Sequence, residues 1–271
     1  APRSRHMHRL LWFQHVHKAA GSTIVNQAIA NGETLFPIHE NGNPCYDDGK
    51  TIPIWDFGEQ KLRSFVDECE SKGVTFVATE WGAPNYRILH NDPRVLLLTS
   101  IRDPWSRVVS NYNYDYFLGH SRSKSLSAYL KENHRIMMDN YLVRVFSNEF
   151  TTEASELDAT TVSIALENLK LFDLVLVIGR EKDLSEHLFE AIGWRRKEVD
   201  QHSTFGNLWT LSTLICQFRM LAAVRYIMGR KLTISEDERA QFRHQSELDL
   251  SFFGRIEDEK ILGSIHPLFS E

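Results

Sequence analysis

The chain has 271 residues, 42% hydrophobic, 25% charged and 11% aromatic, which is ordinary globular material and excludes a low-complexity or disordered chain. A formal charge of −5 gives no global reason to expect a nucleic-acid partner. Its three cysteines (Cys45, Cys69, Cys216) permit one disulfide at most and match no zinc spacing, so they leave the redox compartment open.

Residues 9–16 (RLLWFQHV) suit a buried strand. It leads through KAAGS into a helix with Ile24, Val25, Ala28 and Ile29 on one face, ending near Gly32. Residues 36–58 are rich in turn formers and read as a long loop, a kind of segment that often carries function. A helix is expected over 59–72, with Leu62, Phe65, Val66 and Cys69 inward and Gly73 as its stop. VTFVATE (74–80) and RVLLLTSI (94–101) are the second and third strands, after which Pro104 suits the first turn of a helix. Two helices are expected within 125–148 and another over 154–170, then a fourth strand at 172–179 and a helix over 183–192.

The remainder reads as helical. A long buried helix is expected over 207–229, where Gln217, Arg219 and Arg225 argue against a membrane span. Residues 235–247 open with the capping box Ser235-x-x-Glu238, and a last helix covers 249–262. No linker or repeat divides the chain, so residues 1–271 read as a single domain with 36–58 as a substrate-side loop insertion. Strands alternating with helices predict an α/β fold: a P-loop-like central parallel sheet flanked by helices, with a helical C-terminal part. Ligands in such sheets bind beyond the carboxyl ends of the strands, where both chemical motifs fall.

The first motif is Lys18-Ala19-Ala20-Gly21-Ser22-Thr23, between a strand and a helix. The N–H groups and dipole at a helix N-terminus attract an anion. Small residues let the backbone approach a phosphate, Ser22 and Thr23 add hydroxyls, and Lys18 adds a charge. A bland alternative is a strand–turn–helix that Ser22 merely caps. A nucleotide-hydrolysing P-loop places its lysine after the second glycine, whereas Lys18 precedes Gly21.

The order His15-Val-His17-Lys18-Ala19-Ala20-Gly21-Ser22-Thr23 resembles the 5′-phosphosulfate loop of PAPS-dependent sulfotransferases. In the Golgi carbohydrate members that loop often reads H-x-x-K-T-G-G-T-[TS], from which Ala19 and Ala20 depart. The second motif, RDPWSRVVSNY, matches the family pattern R-D-P-x-x-R-x-x-S-x-Y at Arg102, Asp103, Pro104, Arg107, Ser110 and Tyr112. The resemblance implies that Arg102 and Ser110 hold the 3′-phosphate of the co-substrate PAPS (3′-phosphoadenosine-5′-phosphosulfate). Arginine suits that task because its charged fork bonds phosphate oxygens in pairs. Residues 172–188 resemble the family's late strand and helix, and 248–253 resemble the tail of the heparan and uronyl 2-O- and 6-O-type enzymes.

Members of this family move a sulfuryl group from PAPS to an acceptor and release PAP, without a metal. The resemblance implies that Lys18 stabilises charge on the departing phosphate oxygen. An alcohol acceptor also needs a base. Glu80, at the end of the second strand, is the favoured base, and its alternative is a carboxylate paired structurally with an arginine. His15 and His17 alternate along a strand, share a face and are the other candidates. A zinc site from His6, His8, His15 and His17 has little support, and His39 and His202 are unassigned.

Tyr46, Trp55, Phe57, Trp81, Tyr86 and Tyr114 are candidates to wall an acceptor cleft, although for any single one of them core packing is the better expectation. WRRK (194–197) can meet an acidic polymer or be a solvated helix end. The expected acceptor is a carbohydrate hydroxyl, with a small-molecule hydroxyl or amine as the alternative. No nucleic-acid partner is expected, and the membrane enters only through an anchor or targeting segment that the start APRSRHMH leaves open. The resemblance implies the Golgi lumen, with the cytoplasm as alternative. Two rival readings remain: a P-loop kinase or NTPase, and a non-catalytic nucleotide-binding protein.

Overall fold

Residues 8–132, 138–178, 192–197, 208–216, 219–228 and 233–258 are described by the structure, a computed structural model. Its strands are β1 (Leu10–Gln14), β2 (His39–Glu40), β3 (Asn43–Pro44), β4 (Phe76–Thr79), β5 (Val95–Arg102) and β6 (Leu174–Ile178). The first half carries helices α1 (Gly21–Ala30), α2 (Glu59–Ser71), α3 (Tyr86–His90), α4 (Pro104–Phe117) and α5 (Leu126–Tyr129). They are followed by α6 (Tyr141–Ser147), α7 (Ala159–Leu169), α8 (Leu208–Cys216), α9 (Met220–Met228), α10 (Glu236–Gln245) and α11 (Glu247–Asp258). The main sheet is parallel throughout, in the order β4-β1-β5-β6, so the expected α/β architecture is present.

Alternation along the strands splits the core in two. Leu10, Trp12, Val77, Leu97 and Ile101 pack with residues of α2, α3, α6, α7 and α11. Leu11, Phe13, Phe76, Ala78 and Leu98 pack with Ile24, Val25 and Ala28 of α1 and with Trp194. Each such side chain contributes about 1.5–3 kcal/mol when fully buried, so a sheet covered on both faces is a rigid platform.

Where β1 ends, Gln14 lies level with Thr79 of β4 and Thr99 of β5. Its side chain bonds the Thr79 carbonyl and hydroxyl, each at 3.0 Å, while the Thr99 hydroxyl donates to the Gln14 carbonyl at 2.9 Å. Successive strands reverse their direction of addition at β1. The crevice between the loops after β1 and β5 is therefore a topological switch point.

Several sequence expectations meet the structure closely. Helix α2 buries Leu62, Phe65, Val66 and Cys69, and Gly73 follows it at φ 67°. Pro104 opens α4 behind Asp103, whose carboxylate accepts the Ser106 N–H at 2.8 Å. Both halves of the Ser235–Glu238 capping box form.

Other expectations need correction. Ile29 is 52% exposed, because α1 turns Gln27 rather than Ile29 inward. Residues 154–170 begin as a 3-10 turn, and α7 starts only where Asp158 and Thr161 form a capping box. Within 207–229 the described residues form the two helices α8 and α9 with an exposed apolar face, not one long buried helix. There the Arg219 N–H bonds back to the Leu214 carbonyl at 2.9 Å, which closes a helix end. Sequence reasoning left α3 unassigned, although Asn85 caps it by accepting the Ile88 N–H. The helix expected over 183–192 and the end of the one over 249–262 lie outside the described residues. Cys45, Cys69 and Cys216 are free thiols.

Candidate functional site

Past Gln14 the chain makes a tight turn into α1, and two residues carry left-handed backbone: Lys18 at φ 62° and Ala20 at φ 63°. This conformation costs an L-residue about 1–2 kcal/mol, so the turn is held against local preference. The Ser100 hydroxyl of β5 helps to hold it, donating to the Ala19 carbonyl at 2.6 Å. Ala20 is the N-cap of α1 and offers no side-chain acceptor. Among the described residues, the N–H groups of Ala20, Gly21, Ser22 and Thr23 have no hydrogen-bond acceptor. Ser22 does not cap the helix; its hydroxyl accepts from Asn41 Nδ2 at 3.2 Å. Gly21 is needed for space, since a Cβ there would lie 1.8 Å from His15 Nε2.

Glu80 follows β4 directly, so its carboxylate arises at the same sheet edge. His17 Nδ1 lies 2.8 Å from one carboxylate oxygen, and His15 Nδ1 lies 3.3 Å from the other. All three groups are well shielded, with side-chain exposures of 15%, 5% and 9% for His17, His15 and Glu80. Asn43 of β3 completes the clamp, its side-chain oxygen accepting the Glu80 N–H at 2.8 Å. Burial alone would raise the Glu80 pKa, but the two imidazoles outweigh it and hold the carboxylate well below its ordinary range. Burial lowers His17 below its ordinary value against the opposing pull of Glu80, so its neutral form is favoured near pH 7. With Nδ1 turned to Glu80, His17 Nε2 is left buried and without a hydrogen-bond partner among the described residues.

The second motif leaves the end of β5, the neighbour of β1. Arg102 is half-buried and Ser110 lies two turns along α4; neither side chain has a hydrogen bond or ion pair among the described residues. Lys18 Nζ rests 3.9 Å from the centroid of the Tyr114 ring, one turn beyond Ser110. Burial brings the Lys18 pKa down to about 8; Asp115 opposes that shift, nearby Arg102 adds to it and Glu80 opposes it. Asp115 is buried and accepts a short hydrogen bond from the Tyr129 hydroxyl. Arg107, the other arginine of the motif, is fully buried with its guanidinium over the Tyr141 ring, so it supports α4 rather than facing the crevice.

The fold thus gathers His15, His17, Lys18, Glu80 and Arg102 at one edge of the sheet, with α1 and α4 pointing their first turns into it. Sequence reasoning missed Asp115, Asn41 and Asn43 and gave Tyr114 a different task. The one-turn spacing of Ser110 and Tyr114 along α4 was the available signal for Tyr114.

The other aromatic candidates scatter. Tyr86 is a core residue whose hydroxyl donates to the Val145 carbonyl at 3.1 Å, which removes it from an acceptor wall. Phe57 packs edge-on against Phe65, and Trp55 covers Gly82 so closely that a Cβ there would sit 2.2 Å from its ring. Tyr46 and Trp81 remain exposed at 47% and 36%. In WRRK, Trp194 is buried and donates to Glu33 at 2.7 Å, and the backbone of 195 and 197 bonds Asn31 and Gln27 of α1. This segment is strapped to the helix rather than ending one. Among the described residues no group of three or more His, Cys, Asp or Glu is arranged to hold a metal. His6 and His202 lie outside the described residues.

No protein-family model matches the chain, and no curated protein matches it significantly.

Proposed function

We propose that the chain is a PAPS-dependent sulfotransferase, a single P-loop-like domain that sulfates an acceptor hydroxyl on a carbohydrate. The observation that carries this reading is the meeting of the two motif loops at the switch point between β1 and β5. An uncapped helix start with four N–H groups open among the described residues suits a 5′-phosphosulfate, and Arg102 and Ser110, without a side-chain bond among those residues, suit a 3′-phosphate. When bound, PAPS supplies the sulfuryl group, whose bond to the 5′-phosphate oxygen breaks as the bond to the acceptor oxygen forms.

The backbone of residues 20–23, with Ser22 and Thr23, holds the 5′ end, and Lys18 balances the negative charge that grows on the departing oxygen. Reaching that oxygen requires the ammonium to leave the Tyr114 ring, a swing that its flexible stem allows. For the base, the geometry favours His17 over Glu80. Glu80 fixes the Nδ1–H tautomer, and Nε2 is the site left to receive the acceptor proton. Glu80 is then the orienting carboxylate, with His15 Nδ1 3.3 Å from its second oxygen. Trp81, exposed directly after Glu80, is a stacking surface for a sugar ring or a small aromatic acceptor.

The test is transfer of labelled sulfate from PAPS across a panel of glycans, phenols, peptides and amines, together with calorimetric titration of PAP against ATP–magnesium. Transfer to any acceptor with PAP preferred supports the reading. Preference for ATP–magnesium would return the chain to the kinase class. PAP binding with no transfer would leave a nucleotide-binding protein without catalysis.

A further inference from the structure

Helix α9 is built inside out. It buries Ala222, Ala223 and Tyr226 and exposes its large apolar residues: Met220, Leu221, Val224, Ile227 and Met228 are 49% to 69% exposed. At about 100° per residue, those five fall in an arc of roughly 120° opposite the buried side, so they form one stripe along the helix. Ile215 of α8, 46% exposed, adds to the apolar surface of this helix pair. The seat of α9 explains its small inward residues. Gly119, at φ 73° just past α4, would bring a Cβ within 2.9 Å of Ala222, so only small groups meet there. Packing therefore accounts for the alanines and leaves the outward stripe unexplained.

The charge of the local sequence points to what covers it. From 208 to 235 the sequence holds Arg219, Arg225, Arg230 and Lys231 and not one Asp or Glu, within a chain of net charge −5. Arg225 borders the stripe, with its guanidinium stacked on Tyr116 of α4 at 4.4 Å. An apolar helical face in a locally basic stretch of an acidic protein is the pattern of a helix lying in the headgroup layer of an anionic membrane. A second copy of the chain fits less well, because a two-fold contact would bring two basic segments together. Among the described residues no helix is long and apolar enough to cross a membrane, so the contact is superficial rather than spanning.

We propose that the outer face of α9 docks the protein on an anionic lipid surface. The docked helix packs on α4, which carries Ser110 and Tyr114, so docking would orient the candidate site relative to the membrane. This inference stands independently of the sulfotransferase reading.

The test is co-sedimentation of the full chain with phosphatidylcholine vesicles, with and without phosphatidylserine. The chain should pellet with the anionic vesicles and far less with the neutral ones. Raising salt from about 0.1 to 0.5 M should weaken binding several-fold. Leu221→Glu with Ile227→Glu should weaken it by at least about tenfold, since both remove apolar burial and add negative charge. Both positions are exposed, so the circular dichroism melt should be unchanged; Leu221→Ser is the milder second variant. Equal binding to both vesicle types, or binding that ignores both variants, would overturn the proposal. So would a shift from dimer to monomer in light scattering on substitution without vesicle binding, which assigns the face to a second copy. Vesicle binding that emerges only after removal of residues 259–271 would assign it to the chain's own tail.

Discussion

Lys18 loses its charge unusually early, because burial brings its pKa to about 8 while Asp115 opposes the fall and Arg102 adds to it. A phosphate seated against the ammonium restores the partner that burial removed, so in the complex the lysine returns toward about 10.4, its ordinary value. Between those two values the complex holds a proton that the free protein lacks. Binding then takes up a proton and weakens as pH rises. Linkage gives up to about tenfold loss of PAP affinity per pH unit above the free pKa, or about 20-fold between roughly pH 7.5 and 9.5. Other groups near the lysine leave this window clear: His17 is already neutral, and burial pushes the Tyr114 hydroxyl above the ordinary tyrosine range. Calorimetric titration of PAP at half-unit pH steps, in buffers of different ionisation enthalpy, reads both the affinity and the proton uptake. Lys18→Ala should bind more weakly at neutral pH by about 10- to 100-fold, the worth of one charge-assisted hydrogen bond, and should show a flat profile. A flat profile in the unaltered chain, or the same slope in Lys18→Ala, would refute the placement of Lys18 against the phosphate.

Arg102→Ala should weaken PAP binding by about 10- to 100-fold and Ser110→Ala by a smaller factor, with thermal stability unchanged. Unchanged affinity in both would remove the 3′-phosphate assignment. His17→Ala should lower turnover by about 10²- to 10⁴-fold and Glu80→Gln by less, both with near-normal PAP affinity. In the unaltered chain, activity should fall on the acid side as His17 protonates below its ordinary pKa; a Glu80→Gln variant as slow as His17→Ala would restore Glu80 as the base. Ala20→Gly should raise stability by about 0.5–1 kcal/mol in urea unfolding, because the left-handed strain relieved exceeds the entropy that glycine loses. A loss of stability there would mean that the turn is not strained.

Periodicity made most of the fold legible. Leu62, Phe65, Val66 and Cys69 mark one face of a helix, and the apolar runs ending in Gln14, Thr79 and Ile101 mark strands of a doubly covered sheet. The same cue misled at 207–229, where an unbroken apolar stretch reads as buried. At Gly119 the packing is so close that a Cβ would meet Ala222 at 2.9 Å, and the face carrying Ala222, Ala223 and Tyr226 turns inward while Leu221, Ile227 and Met228 stay in solvent. No pattern within the segment encodes a glycine a hundred residues upstream. Tyr86 bears out core packing as the better expectation for a single aromatic: its ring suits a cleft wall as well as a core, and its bond to the Val145 carbonyl belongs to the core.

Roles within the candidate site were less legible than membership. Residue types identify Glu80, His15 and His17 as groups that exchange protons, and both histidines do approach Glu80, but not through the strand alternation expected of them. β1 stops at Gln14, so the shared approach comes from the turn that follows and not from continued strand geometry. Assigning the base depends on which atom is left without a partner. A carboxylate hydrogen-bonded to one imidazole and approached at 3.3 Å by a second has little affinity for a further proton, whereas an imidazole with one nitrogen engaged has its second nitrogen free to react. That distinction rests on a 2.8 Å contact spanning 63 positions of sequence, and under the proposed function it favours Glu80 as the positioner and His17 as the base.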